Sequence, residues 1–224
     1  IVTGAARGVG AVIARRVAAA GASVVLTDVR AEEGEAVAKE IGGDSTFLAL
    51  DVTSEADWSQ VVEQTLSRHG RVDGLVNNAA MLHIGALENT PHDVFRRVLE
   101  VNTFGPFLGT RAVLAAMKSQ GRGSIVHISS IDGMIGMNGI TAYATSKWGM
   151  RGLAKASALE LGRSGIRVNT VCPASGNPEM FAPWQEKMMP FIEETVAYSN
   201  NRGIPGEHPP EATAEAVVYL LSDA

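Results

Sequence analysis

The chain has 224 residues, of which 46% are hydrophobic, and carries a formal net charge of −5 with a sequence pI of about 5.6. Chains of this length bury a substantial core, so we expect residues 1–224 to form a single domain. No run of Lys or Arg is longer than a pair such as Arg15-Arg16. The weakly acidic balance therefore argues against nucleic acid as a partner and favours a small or apolar ligand.

The only cysteine, Cys172, cannot form an intramolecular disulfide, and its position suggests a core residue at a strand end. No signal peptide and no span of about eighteen apolar residues is recognisable within the sequence. A reducing cytoplasm is therefore the expected location, without membrane association. We also predict no metal site.

The chain opens with a short apolar run that breaks at Gly4, Gly8 and Gly10 and continues as a helical pattern over 11–20. A strand, a glycine turn and a helix N-terminus together favour phosphate binding, because glycine lets the backbone approach and the free amides attract an anion. The spacing differs from G-x-G-x-x-G and from a P-loop. An ordinary turn stays the alternative. Because the strand is short, we expect further residues to precede Ile1.

A second strand is predicted over 23–28 and ends at Asp28, where dinucleotide-binding folds contact the adenosine ribose. A carboxylate accepts hydrogen bonds from both ribose hydroxyls and repels a 2′-phosphate, so NAD is favoured over NADP. The alternative role of Asp28 is to cap the helix predicted over 31–41.

The third strand is predicted over 46–50 and is followed by Asp51. Ser54 and Asp57 then form a capping signal for a helix that runs to about His69. Asp51 has two possible roles at this stage: a ligand contact at the strand end, or a part of the cap.

The fourth strand and its exit turn are predicted over 74–80, and they end in two asparagines and two alanines, Asn78 among them. Asparagine side chains can tie such a sharp turn to neighbouring backbone. Thr90 and Pro91 predict the cap and the start of the next helix. Its continuation carries Asn102, which taken alone is an ordinary polar residue.

Residues 124–130 are predicted to form the fifth strand, a buried parallel strand that ends at Ser130. The serine hydroxyl would emerge at the carboxyl end of the sheet, where ligands of open α/β folds bind. Tyr143 and Lys147 are four residues apart and would be neighbours on one helix face. A nearby ammonium lowers the pKa of a phenol from about 10. The pair therefore predicts a proton carrier, with a surface coincidence as the alternative.

These separately placed motifs resemble the classical short-chain dehydrogenase/reductase family, in the family's chain order. The resemblance covers residues 1 to about 173 and returns weakly in the last helix, and it is nearest to bacterial NAD-dependent hydroxysteroid dehydrogenases of the 3-alpha/20-beta type. It implies a Rossmann-type α/β fold, a doubly wound parallel sheet with helices on both faces. It also implies a homodimer or homotetramer.

The resemblance implies a hydride transfer between NAD(H) and a secondary alcohol or ketone, with Tyr143 as general base or acid. Ser130 would hold the substrate oxygen, Lys147 would lower the pKa of Tyr143 and bind the nicotinamide ribose, and Asn102 would relay protons through water. The implied cofactor-binding residues are Gly4, Arg7, Gly8, Val9, Gly10, Asp28, Val29, Asp51, Val52, Asn78, Ala79, Tyr143, Lys147 and Pro173.

Two alternatives stay open. Arg7 lies in the glycine turn, where a basic residue in this family can hold a 2′-phosphate, so the chain could be an NADPH-dependent ketone or 3-oxoacyl thioester reductase. A non-catalytic nucleotide-binding regulator is the alternative from another class.

The chain departs from the family's pattern in two places. Ala80 replaces a glycine, for which we expect a small change in the floor of the pocket. Pro178 stands where the family has a threonine that contacts the nicotinamide carboxamide, and Ser175 would substitute for it.

The segment over about 174–202 is predicted to be a substrate lid. It carries apolar side chains suited to a hydrophobic, steroid-like alcohol or ketone, with plain helical packing as the alternative. They are Met180, Phe181, Trp184, Met188, Met189 and Phe191. A final helix is predicted over 211–222, and we expect the family's last strand to follow Ala224.

Overall fold

The structure is a computed structural model that describes residues 1–174, 177–201 and 208–223. Within those residues, six strands form one parallel sheet in the order β3-β2-β1-β4-β5-β6. The order reverses between β1 and β4, which creates the crevice where open α/β sheets bind their ligands. The strands are β1 (Val2–Thr3), β2 (Val25–Asp28), β3 (Thr46–Ala49), β4 (Gly74–Asn77), β5 (Gly123–Ile128) and β6 (Ile166–Val171).

Helices connect the strands and cover both faces of the sheet. Short 3-10 turns lie at 87–89, 131–133, 162–164, 182–184 and 189–191, and a π-helical turn spans Glu100–Phe104. The α-helices of the described residues are α1 (Gly8–Ala19), α2 (Ala31–Ile41), α3 (Glu55–His69), α4 (His92–Leu99), α5 (Gly105–Gln120), α6 (Thr141–Leu161), α7 (Pro178–Phe181), α8 (Gln185–Met188), α9 (Ile192–Asn200) and α10 (Pro210–Leu221).

Two apolar clusters form the core, one on each face of the sheet. Successive strand residues point to opposite faces, so Leu75 packs with α3, α5 and α6 while Val76 packs with α1, α2 and α10. Ile125 and Val126 divide in the same way. Burial of both faces explains the continuous apolar runs in β4 and β5. The predicted doubly wound sheet is confirmed.

Most local signals in the sequence match the structure. The helix predicted over 31–41 coincides with α2, and Ser54 caps α3 by accepting a hydrogen bond from the backbone N–H of Asp57. The predicted cap at Thr90 is wrong. The hydroxyl of Thr90 donates to the carbonyl of Ala86, and Pro91 is the residue that precedes α4. Over the described ranges, no helix is long and apolar enough to cross a membrane.

Candidate active site

The carboxyl ends of the six strands surround a cleft of about 440 Å³. Parallel strands end at the same edge of a sheet, so residues that are distant in sequence meet there. Every residue that the resemblance assigns to the cofactor lines this cleft, and Ser130 lines it too. Asn102 does not reach it, because the cleft wall in front of it is formed by Met81 and Val101.

The glycine turn after β1 has a backbone that other residues cannot adopt easily. Gly4 and Gly8 have φ of 64° and 54°, in the left-handed region that favours glycine. A Cβ on Gly10 would lie 2.0 Å from the carbonyl oxygen of Gly4. The helix α1 begins at Gly8 and its first N–H groups receive no side-chain cap from Arg7. These amides and the helix dipole are suited to an anion at the floor of the cleft.

Asn78 fastens the exit of β4 to the glycine turn. Its side-chain amide donates to the carbonyl oxygens of Thr3 and Gly4, at 2.9 and 3.1 Å. The backbone N–H groups of Asn78 and Ala79 both donate to the hydroxyl of Thr3, at 3.0 Å. Ala80 has a negative φ, so alanine fits here without backbone strain.

The carboxylate of Asp28 lies at the edge of the cleft beside the glycine turn. It accepts hydrogen bonds from the backbone N–H groups of Ala6 and Arg30, each at 3.1 Å. The helix α2 has Arg30 at its N-cap position, so Asp28 is not its cap. Val29, the next residue, is 69% exposed and also lines the cleft. Arg7 is exposed and lines the cleft as well.

Asp51 follows β3, and hydrogen bonds and an ion pair hold its carboxylate in place. Its carboxylate accepts from the backbone N–H and the hydroxyl of Thr53 and forms an ion pair of 3.3 Å with Arg97. Partial burial raises the pKa of Asp51, but the hydrogen bonds from Thr53 and Arg97 outweigh this effect and leave the pKa below its ordinary value. Asp51 joins the α3 cap through its backbone: its N–H donates to the carboxylate of Asp57, and its carbonyl accepts from the N–H of Ser54.

Asn102 is fully buried in the π-helical turn between α4 and α5. Its side chain accepts from the N–H of Met81 at 2.7 Å and donates to the carbonyl of the same residue at 2.8 Å. It also donates to the hydroxyl of Ser146 on α6, at 2.9 Å. Asn102 therefore joins the cleft wall to the helix that carries Tyr143. Widened turns of this kind are frequent at functional sites.

Ser130, Tyr143 and Lys147 meet where β5 ends, and all three are buried. The hydroxyl of Ser130 lies close enough to the phenol of Tyr143 to favour a lower pKa of that phenol. Lys147 is 1% exposed and its Nζ lies 5.5 Å from the centre of the Tyr143 ring. The same ammonium donates to the carbonyl oxygen of Ile128 at 2.8 Å.

The pKa values of these groups differ from the expectation based on the sequence. Burial raises the pKa of Tyr143 and the charge of Asp132 adds to the increase, while the hydroxyl of Ser130 opposes it. Burial also lowers the pKa of Lys147 to about 7, against the charges of Cys172 and Asp132. The expectation that the pKa of Tyr143 lies below its ordinary value is therefore wrong, because burial and the charge of Asp132 determine the direction of the shift.

Asp132 is a buried carboxylate of the cleft that the sequence analysis missed. One of its oxygens accepts from the hydroxyl of Ser130 at 2.9 Å, and the other accepts from the phenol of Tyr198 at 3.2 Å. The spacing Ser-x-Asp is a local signal that could have indicated the first contact, since such side chains bond to backbone two residues away. Tyr198 lies 66 residues further along the chain.

The described part of the lid, residues 177–201, covers one side of the cleft. Met189 is an exception among the predicted apolar residues, because it is 61% exposed. Ser175, Gly176 and Arg202, which also belong to the predicted lid, lie outside the described residues. The remaining lid side chains pack against Leu82, Ile84, Ile140 and Tyr143; they are Met180, Phe181, Trp184, Met188 and Phe191.

Comparison with known proteins agrees with this geometry. The model of a family described as short chain dehydrogenase matches residues 1–189. The chain belongs to this family. It is 41% identical over 223 residues to a 3-alpha-(or 20-beta)-hydroxysteroid dehydrogenase of Mycobacterium bovis, a match that covers all of this chain and 82% of the relative.

Two further members of the family are similar to this short-chain dehydrogenase. A trans-4-hydroxycyclohexanecarboxylate dehydrogenase of Sinomonas cyclohexanicum is 42% identical over 191 residues, which is 81% of this chain and 73% of the relative. The crystal structure of a 3-ketoacyl-(acyl-carrier-protein) reductase from Brucella melitensis in complex with NADH superposes with a TM-score of 0.88. The two sequences are 31% identical, and the match covers 99% of this chain and 89% of that one.

Proposed function

We propose that this short-chain dehydrogenase is an NAD(H)-dependent enzyme that interconverts a hydrophobic secondary alcohol and its ketone. The observation that carries the proposal is the buried group of Ser130, Tyr143 and Lys147, which shares one cleft with the glycine turn. A proton carrier, an oxygen-binding hydroxyl and a phosphate cradle are the parts that such a hydride transfer requires.

The residues present fit a nicotinamide dinucleotide. The amides at the start of α1 suit its pyrophosphate, Asp28 suits the adenosine ribose, and Lys147 suits the nicotinamide ribose. The bound cofactor supplies the chemistry of hydride transfer at its nicotinamide ring. Asn78 supports this end of the cleft, since its amide holds the glycine turn in place.

In the oxidation direction, Ser130 binds the substrate oxygen and Tyr143 removes the proton of the hydroxyl. Because burial raises the pKa of Tyr143, the phenolate needs a positive charge beside it. The buried ammonium of Lys147 lies next to the Tyr143 ring and can provide that charge. In the reduction direction, Tyr143 donates its proton to the carbonyl oxygen. The raised pKa of Tyr143 favours the protonated phenol that this direction requires.

Asp28 supports NAD rather than NADP. Its carboxylate is already fixed by the N–H groups of Ala6 and Arg30, so it cannot turn away from an added phosphate without losing both bonds. Arg7 lies further along the turn and has a solvent-exposed side chain. Its attraction for a phosphate is therefore screened, and we expect the repulsion from Asp28 to prevail.

The lid supports an apolar substrate. Its Met180, Phe181 and Trp184 line the cleft near Tyr143. Methionine and aromatic side chains adapt to bulky apolar ligands. The relatives named for hydroxysteroids and for a hydroxylated cyclohexane ring support ring-bearing secondary alcohols as the substrate class.

A second candidate is an NADPH-dependent reductase of a 3-oxoacyl thioester. The structural neighbour from Brucella melitensis, a 3-ketoacyl-(acyl-carrier-protein) reductase, supports the thioester substrate, but its complex holds NADH. One panel separates the two candidates. Purified enzyme is given equal concentrations of NAD⁺ or NADP⁺ with cyclic secondary alcohols and 3-, 17- and 20-hydroxysteroids, and the reduced cofactor is followed by absorbance. In parallel, a 3-oxoacyl thioester is offered with NADH or NADPH.

The proposal predicts turnover of cyclic alcohols with NAD⁺ and slower turnover with NADP⁺. Rapid NADPH oxidation with the thioester alone would favour the second candidate. Cofactor binding without turnover of any of these compounds would favour the non-catalytic regulator.

We also propose that the enzyme is a homodimer or homotetramer. Phe104 and Phe107 stack at a ring distance of 5.9 Å and are 44% and 39% exposed, and Trp148 on α6 is 51% exposed. Exposed apolar patches of this kind mark interaction surfaces. Light scattering of the purified protein tests this, and a monomeric mass would contradict it.

A further inference from the structure

Asp132 occupies an unusual place for a carboxylate. It lies in the 3-10 turn at 131–133 directly after β5, is 7% exposed, and lines the cleft between Ser130 and the lid. Buried carboxylates are costly unless hydrogen bonds compensate. Each of its two oxygens accepts a hydrogen bond from a hydroxyl group of the site.

The first of these contacts joins Asp132 to the serine that would bind substrate. The hydroxyl of Ser130 donates to one carboxylate oxygen at 2.9 Å, and the backbone N–H of Asp132 donates back to the same hydroxyl at 3.1 Å. Two contacts to one small side chain leave it a single orientation. Arg151 holds the turn itself by donating to the carbonyl of Gly133 at 2.6 Å.

The second contact joins Asp132 to the lid. The phenol of Tyr198, on α9, donates to the other carboxylate oxygen at 3.2 Å. The lid therefore reaches the serine through one intervening carboxylate. Tyr198 thus makes a polar contact to the turn after β5, while α7 and α8 contribute apolar packing.

We propose that Asp132 is a positioning residue, which fixes the side chain of Ser130 beside the substrate pocket until its proton turns to the substrate oxygen, and which couples the lid to that arrangement through Tyr198. This inference rests on the proposed function for its catalytic part only. The coupling to the lid follows from the contacts alone.

The charge of Asp132 also bears on Tyr143, because it is one of the causes that raise the pKa of the phenol. The loop after β4 presents apolar Leu82 and Ile84 to Tyr143. Titratable or charged groups of the neighbouring elements include Lys147 and Arg151 on α6, His127 on β5, His83 in the loop after β4, Cys172 after β6, and Glu179, Lys187 and Tyr198 in the lid. Removal of the Asp132 charge alone shifts the titration of the phenol to lower pH.

The catalytic part is tested by pH profiles of alcohol oxidation. We expect Asp132→Asn to move the acid limb of the profile to lower pH by about one unit. Asp132→Ala, which has no acceptor for Ser130, should lower kcat by about tenfold with a smaller change in KM, and Asp132→Asn should recover most of that loss. Asp44→Asn, at an exposed position far from the cleft, is the control.

An acid limb that stays at the wild-type pH in Asp132→Asn, or equal losses in the Asn and Ala variants, would overturn the positioning role. If the wild-type enzyme turns over no alcohol, the proposed function fails and the lid experiment decides the remaining part. Thermal unfolding of each variant identifies a loss that comes from misfolding.

The lid part is tested by limited proteolysis, which needs no activity. Lys187 is an exposed trypsin site within the lid. We expect Tyr198→Phe and Asp132→Ala to accelerate cleavage after Lys187 by about threefold or more, with Asp44→Asn unchanged. A cleavage rate in Tyr198→Phe equal to that of the wild type would overturn the coupling.

Discussion

The ammonium of Lys147 lies 5.5 Å from the ring centre of Tyr143 and donates a hydrogen bond of 2.8 Å to the carbonyl oxygen of Ile128, at the end of β5. The lysine thus joins α6, the helix that carries Tyr143, to the strand that leads to Ser130. Its burial lowers its own pKa to about 7, so its charge at neutral pH depends on its surroundings. A site of this kind is sensitive to any anion or cation placed beside it.

Under the proposed function, the preference for NAD over NADP depends on Asp28. We expect Asp28→Asn to raise the ratio of kcat/KM with NADP⁺ to that with NAD⁺ by about tenfold, because the repulsion of the 2′-phosphate is lost. Glu32→Gln, an exposed change in the first turn of α2, is the control. A wild-type preference for NADP⁺ that disappears in Arg7→Ala would contradict this account.

The glycine turn tolerates no side chain at Gly10. We expect Gly10→Ala to weaken NADH binding by about tenfold or more, because the added methyl group meets the Gly4 carbonyl at 2.0 Å and displaces the turn. Gly152→Ala is the matched control, since a Cβ there meets nothing within 4 Å on α6. It should stabilise the protein by about 0.5–1 kcal/mol. Fluorescence titration with NADH gives the affinities, and equal values for the two variants would refute the assignment.

His127 makes stability depend on pH. Burial lowers its pKa to about 4, with a smaller effect from Lys147, against 6.5 in an exposed histidine. As the pH falls from 6.5 to 4, the unfolded chain binds a proton that the folded chain does not, so folding loses about 3 kcal/mol. Urea unfolding should therefore show the advantage of the wild type over His127→Asn shrinking across this window. The control is His92→Asn, at an exposed position on α4, for which the difference in unfolding free energy from the wild type should not depend on pH. A pH-independent difference for His127→Asn as well would contradict the assignment.

Much of this site could be predicted from the sequence because its signals are local. The glycine turn, Asp28 at a strand end and the spacing of Tyr143 and Lys147 each depend on a few neighbouring residues. Parallel strands then bring such strand ends together without further information. The cap at Ser54 and the bounds of α2 are predicted correctly for the same reason.

The features that could not be predicted depend on burial and on contacts between distant residues. The pKa of Tyr143 was expected to fall because only the lysine four residues away is visible in the sequence, whereas its direction is decided by burial and by Asp132. The bond from Tyr198 to Asp132 spans 66 residues and has no local signal. Thr90 resembles a helix cap, but its hydroxyl is taken by the carbonyl of Ala86.

The lid should control the choice of substrate. Trp184 lines the cleft and packs edge-on against His83 at a ring distance of 5.3 Å, whereas Met189 in the same segment is exposed. We expect Trp184→Ala to raise KM for a hydroxysteroid by about tenfold and to change KM for a small cyclic alcohol much less. Met189→Ala should leave both values near the wild type. Equal increases for the large and the small substrate would count against a substrate-binding role of the lid.

The phenol of Tyr143 is the group on which the proposed reaction depends most. Tyr143→Phe removes one oxygen from a buried site, and Tyr219→Phe makes the same change at a position that is 64% exposed on α10. Alcohol oxidation is measured by NADH absorbance for both variants, and NADH affinity by fluorescence. We predict that Tyr143→Phe lowers kcat by about 10²–10⁴-fold with NADH affinity retained, while Tyr219→Phe behaves as the wild type. A rate for Tyr143→Phe within a few-fold of the wild type would contradict the central claim.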